Sequence, residues 1–133
     1  MMCDTRIELL VLLMRRLPLV LVVDDDPMIV RSYARVVARD ADVITAGSVS
    51  EARELLTVHT IDLLLTDFMM PGETGDVLLR LVAEKQPTAR RVLMTAAARH
   101  MVEDLVNDGT AHQLVTKPAR IEELQQLVKS VER

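Results

Sequence analysis

Four places along the 133-residue chain carry side chains suited to one kind of chemistry. Asp24-Asp25-Asp26-Pro27 follows the apolar run LVLVV, and Asp67 closes DLLLTD just before Met70-Pro71-Gly72. Thr95, with Ala96 and Ala97 behind it, closes RVLMT, and Thr116-Lys117-Pro118 follows HQLV. Carboxylates brought together repel one another unless a cation joins them, and a hard divalent ion with oxygen ligands is the usual solution, here Mg²⁺. A lone lysine opposite such an ion supplies positive charge for a second anion. With a short hydroxyl to donate a hydrogen bond, the set suits a phosphoryl group.

The elements behind these residues alternate between two periods. Apolar runs at 19–23, 42–45, 62–66, 91–94 and 111–115 read as five short strands. Between and after them lie stripes at helical spacing. They are Ile29/Tyr33/Val36/Val37, Val49/Ala52/Leu55/Leu56, Val77/Leu78/Leu81/Val82, Met101/Val102/Leu105/Val106 and Ile121/Leu124/Leu127/Val128/Val131. Ser48 and Glu51 form a capping box ahead of the second stripe. The run before Asp67 is apolar throughout, the pattern of a strand covered on both faces. Five such strand–helix units predict an α/β fold, a doubly wound parallel sheet whose strand C-terminal ends open on one edge. That edge gathers the acids, the hydroxyl and the lysine.

Bulk properties narrow the field. The length fits one domain, without repeats or an interdomain linker. A net charge of -4 and the lack of a Lys/Arg cluster argue against direct nucleic-acid binding. The single cysteine, Cys3, has no internal partner, which points to a reducing, cytoplasmic setting. The apolar stretch Leu9 to Met14 is too short to span a bilayer and has no cleavage-site pattern, so no membrane segment or signal peptide is expected.

Plainer readings exist for each residue alone. Asp26 before Pro27 reads as a helix opening, and Asp24, Asp25 or Asp67 could each serve as a cap. Caps need one acceptor per helix, whereas four strand ends here share one chemical theme, which favours a common site. His59, His100 and His112 read as solvated or edge positions with no assigned role. Met69 and Met70 read as turn and packing residues rather than sulfur ligands.

The motifs LVVDDDP, LLTDFMMPGETG, VLMTAAA and VTKP, in this order and spacing, resemble the receiver domain of bacterial two-component response regulators. The resemblance covers residues 19 to 131. It implies a flavodoxin-like sheet of order 2-1-3-4-5 with five helices, with residues 18–133 as the receiver domain. It further implies Asp67 as phosphoacceptor and Asp24 and Asp25 as the acidic pair, Asp25 the more direct metal ligand. The Met69 carbonyl would join Asp24, Asp25 and Asp67 around Mg²⁺. Thr95 and Lys117 would contact phosphoryl oxygens, and Lys117-Pro118 would be cis. Such a protein takes phosphate from a sensor histidine kinase or phosphotransfer protein, changes its contact with a downstream target, and can dimerise. It is a switch that catalyses its own phosphorylation and dephosphorylation, not a turnover enzyme.

Leu114 departs from the pattern, since receivers usually carry Tyr or Phe three residues before the lysine. This keeps a second reading in view, a receiver that binds partners constitutively without phosphorylation. A haloacid dehalogenase-like phosphohydrolase is a third; its nucleophile follows the first strand with an Asp two residues on, whereas Asp67 follows the third and Met69 holds that offset. Residues 1–17 form an extension that reads either as a short helix packing on a partner subunit or as a leader before a true start at Met14, the latter expected. The chain ends soon after the fifth helix, so it reads as a stand-alone receiver or a fragment.

Overall fold

The structure, a computed structural model, describes residues 5–13, 17–96 and 99–131. Five parallel strands, β1 (Leu19–Val23), β2 (Asp42–Ala46), β3 (Leu63–Asp67), β4 (Arg90–Thr95) and β5 (Gln113–Thr116), form one sheet in the order β2-β1-β3-β4-β5. Six helices accompany them: α1 (Thr5–Leu13), α2 (Pro27–Val37), α3 (Val49–Val58), α4 (Gly75–Lys85), α5 (Arg99–Asn107) and α6 (Ile121–Lys129). Five are those expected from the stripes, and α1 lies within the N-terminal extension. Its Ile7, Leu9 and Leu10 are exposed. The proposed start at Met14 falls outside the described residues.

The central strand explains the leucine run. All five residues of β3 are buried, and successive side chains alternate between the faces of the sheet. Leu64 joins Leu21, Val23 and Leu93 in a layer closed by Val49 and Ala52 of α3, Leu78 and Leu79 of α4, and Val102 and Leu105 of α5. Leu63 and Leu65 join Val20, Val22, Val92 and Met94 on the other side, under Tyr33 and Val37 of α2 and Leu124, Leu127 and Val128 of α6. Burying each leucine contributes about 1.5–3 kcal/mol, so β3 is held from both sides by the largest side chains in the core.

Local details differ from the sequence reading at several points. The fifth strand begins at Gln113 rather than at residue 111, because the Ala111 amide is taken by the turn that follows α5, donating back to the Leu105 carbonyl at 2.8 Å. In α4 the buried stripe passes through Leu79; Val77 and Leu81 are only partly buried. Ser48 caps α3 by accepting from the Glu51 amide at 3.1 Å, but the Glu51 carboxylate reaches the Gly47 amide at 2.9 Å, so the box is offset by one residue.

At the edge where the strands begin, the buried guanidinium of Arg91 ties two loops to β4. Its Nε donates to the Thr110 carbonyl at 2.9 Å, its Nη1 to Ala89 at 3.2 Å and Pro87 at 3.3 Å, and its Nη2 to Gly109 at 3.1 Å. His112, for which the sequence offered no role, accepts the Arg91 amide on Nδ1 at 2.9 Å. Its own amide donates to the Arg91 carbonyl at 2.8 Å.

Candidate functional site: an acidic pocket at the sheet edge

β1 and β3 are neighbours, with Val23 paired to Thr66. Asp24 and Asp67, each next in sequence, therefore emerge side by side. Asp24 is buried, and its Oδ1 accepts the Asp26 amide at 2.9 Å. Asp25, between them in sequence, is exposed. Asp26 turns away to cap α2, accepting the Met28 amide at 2.9 Å, which is the helix-opening role read from its place before Pro27. Carboxylate oxygens of Asp24, Asp25 and Asp67 lie within 4.8 Å of one another.

Lys117 reaches into this pocket from the end of β5. Its Nζ forms an ion pair with Asp24 Oδ2 and a second, at 3.3 Å, with Asp67 Oδ2. The other oxygen of Asp67 accepts the Phe68 amide at 2.8 Å. Burial pushes the Asp67 carboxyl above its usual pKa; Lys117 works against that rise and the neighbouring Asp24 adds to it. Burial opposes the charge on Lys117, but its hydrogen bond to Asp24 and the charges of Asp67 and Asp24 prevail and raise its pKa. One ammonium thus faces three carboxylates. Three hard oxygen donors at this spacing, with charge not fully offset, suit a divalent cation such as Mg²⁺.

The remaining sequence candidates fall around this cluster. Thr95 is buried at the end of β4, one residue beyond Met94, the register partner of Asp67. Its carbonyl accepts the Lys117 amide at 3.0 Å. Met69 lies in the loop after β3 and is 62% exposed. The Lys117-Pro118 peptide is cis, as the resemblance implied. Leu114, the departure noted in the sequence, is half-buried against the core and, with Thr116 and Lys117, lines a surface hollow of about 790 Å³.

Two contributors escaped the sequence reading or were only partly seen. Gly75 closes the loop after Asp67, its amide donating to the Phe68 carbonyl at 2.8 Å. Tyr33, read only as part of a helical stripe, accepts the Ala119 amide on its hydroxyl at 3.1 Å. An isolated tyrosine in an otherwise aliphatic stripe was the available signal, since a buried phenol needs a polar partner.

Comparison with known proteins accords with this geometry. Residues 20–129 match the response regulator receiver domain, and the chain belongs to that family, which places it in two-component phosphorelay signalling. It is 30% identical over 113 residues to the hydrogenase transcriptional regulatory protein HoxA of Bradyrhizobium diazoefficiens, covering 83% of this chain and 23% of that protein. The chain thus spans under a quarter of the length of this relative. A protein of Neptuniibacter caesariensis has a similar structure, with a TM-score of 0.80, 30% identity and 85% of each chain covered. The response regulator TrrA of Thermotoga maritima, solved in complex with Mg²⁺ and beryllium fluoride, aligns with a TM-score of 0.75 at 26% identity, covering 86% of this chain and 98% of that one. Among the described residues, no helix is long and apolar enough to cross a membrane.

Proposed function

We propose that the chain is a cytoplasmic phosphoryl-accepting switch, taking phosphate on Asp67 from a sensor histidine kinase or phosphotransfer protein and passing the signal to a downstream protein. The observation that carries this reading is the convergence of Asp24, Asp25 and Asp67 within 4.8 Å, with Lys117 bridging the buried pair.

A carboxylate oxygen of Asp67 attacks phosphorus, the bond from phosphorus to the donor imidazole breaks, and the imidazole leaves as the O–P bond forms. Asp24, Asp25, Asp67 and the Met69 carbonyl would hold Mg²⁺, which when bound offsets charge on the transferring group. Lys117, already 3.3 Å from Asp67, needs only a short movement to pair with a phosphoryl oxygen. The Thr95 hydroxyl, at the end of the adjacent strand, would bind another. Residues 18–133 form the switching unit in this reading, and self-catalysed loss of phosphate resets it.

Incubation with a small phosphodonor and Mg²⁺, followed by intact-mass measurement, provides the test. The parent should gain one phosphoryl group and Asp67→Asn none, since the substitution keeps the volume and removes the nucleophile. Addition to Asp67→Asn at a comparable rate would refute the assignment.

A further inference from the structure

The turn that carries Lys117 is packed only in part, with Ala119 against the core and its other residues more open. Thr116 and Pro118 are exposed, and Ala96, Lys117 and Tyr33 line an open hollow of about 530 Å³ beside it. Pro118 has no N–H. After the Lys117 amide, which donates to Thr95 at 3.0 Å, the next backbone donor is therefore that of Ala119. That amide donates to the hydroxyl of Tyr33, which is 8% exposed. The Tyr33 ring packs in the layer formed with Val115 of β5 and Leu124, Leu127 and Val128 of α6. With only two side-chain torsions and a buried ring, the hydroxyl is a rigid anchor.

The same helix also fixes the other half of the ion pair. α2 starts at Pro27 behind its cap Asp26, and the Asp26 amide donates to Oδ1 of Asp24 at 2.9 Å. One end of α2 therefore holds Asp24, and Tyr33, further along it, holds the turn that delivers Lys117. The two ends of the Asp24–Lys117 pair are referenced to a single rigid element.

We infer that Tyr33 is a positioning residue for the phosphoryl site: through Ala119 it sets where the Lys117 ammonium stands, and so how well the lysine meets a phosphoryl group on Asp67. This rests on the phosphoacceptor reading above. Tyr33→Phe keeps the ring and its packing and removes only the acceptor, which frees the turn to sample other positions. The Tyr33 hydroxyl is engaged by the Ala119 amide and not by Asp67, so the inferred effect runs through the turn that carries Lys117.

The test uses beryllium fluoride with Mg²⁺ as a phosphoryl mimic. Affinity is read by NMR titration of the Phe68 amide in four proteins: the parent, Tyr33→Phe, Lys117→Ala and the double variant. Tyr33→Phe should bind about two- to tenfold more weakly, the range expected from one hydrogen bond. In the Lys117→Ala background the same change should have no further effect, because residues acting through one another are not additive. A purely structural role would lower thermal stability and leave both affinities unmoved. Parent-like affinity in Tyr33→Phe, or an equal loss in both backgrounds, would overturn the inference. Failure of the parent itself to bind, with Asp67→Asn no different, would instead overturn the phosphoacceptor reading and the inference with it.

Discussion

A Cβ built on Gly75 would stand 2.0 Å from the carbonyl oxygen of Asp67. The first residue of α4 thus touches the backbone of the strand end that presents the candidate nucleophile. Helix propensity favours Gly75→Ala by about 0.5–1 kcal/mol. Overlap with backbone atoms cannot relax by turning a side chain, and overpacking costs about 1–3 kcal/mol or more. The steric cost should win. Urea denaturation should show a lower midpoint for Gly75→Ala, together with slower phosphorylation as Asp67 is displaced; unchanged stability would contradict the contact.

Magnesium should stabilise the fold through the acidic pocket. A ligand at about a hundred times its dissociation constant adds about 2.7 kcal/mol to unfolding free energy. Asp25 is exposed, so Asp25→Ala should change stability without metal by no more than about 0.5 kcal/mol. It should nevertheless lose most of the Mg²⁺-dependent gain. Thermal melts of both proteins with Mg²⁺ and with a chelator provide the comparison, and an undiminished gain in the variant would remove Asp25 from the ligand set.

The phosphorylated state should be long-lived for this family. Met69, two residues after Asp67, cannot hold the attacking water by a strong hydrogen bond, and its exposed, flexible thioether can lie over the phosphoryl group. Ala97, two residues after Thr95 and equally unable to hold a water by a side-chain hydrogen bond, lies outside the described residues. Phosphate loss after removal of the donor should be slower in the parent than in Met69→Asn. A parent that decays as fast as the variant would sink the explanation.

His112 should make stability fall on acidification. Burial first, then the charges of Arg91 and Arg90, depress its pKa below the ordinary 6.5. A depressed folded-state value means the contribution is fully present above 6.5 and is lost as pH falls from there through the folded value. Protonation would also leave Nδ1 unable to accept the Arg91 amide. His112→Asn, whose amide oxygen can take over as acceptor, should show a shallower fall in urea midpoint between about pH 7 and 5. Parallel curves for the two proteins would exclude His112 as the source.

The two covered faces and the meeting of Asp24, Asp67 and Lys117 at one edge were legible from local pattern and the handedness of strand crossovers, whereas the strand order came from the resemblance carried by the four motifs. Periodicity alone could not separate Leu79 from Leu81, because α4 carries apolar residues at 77, 78, 79, 81 and 82 and so offers more than one apolar face. It was also silent on contacts between residues far apart in the chain. Tyr33 and Ala119 are 86 positions apart and Arg91 and Thr110 are 19 apart, and nothing in either local sequence announces the partner. His112 was set aside because a single histidine carries no spacing signal. Leu114 was visible as a departure, but the hollow beside it emerges only from packing.

The clasp of Arg91 opposes sliding of β4 along its own axis. One end is bound through that guanidinium to the carbonyls of both neighbouring loops, and at the other the Thr95 carbonyl receives the Lys117 amide. Sliding the strand by one residue would break all of these bonds and reverse the facing of every side chain on it. In the proposed switch the sheet would act as a stator: a charge placed on Asp67 would be read out as swings of side chains and displacement of loops above a fixed floor.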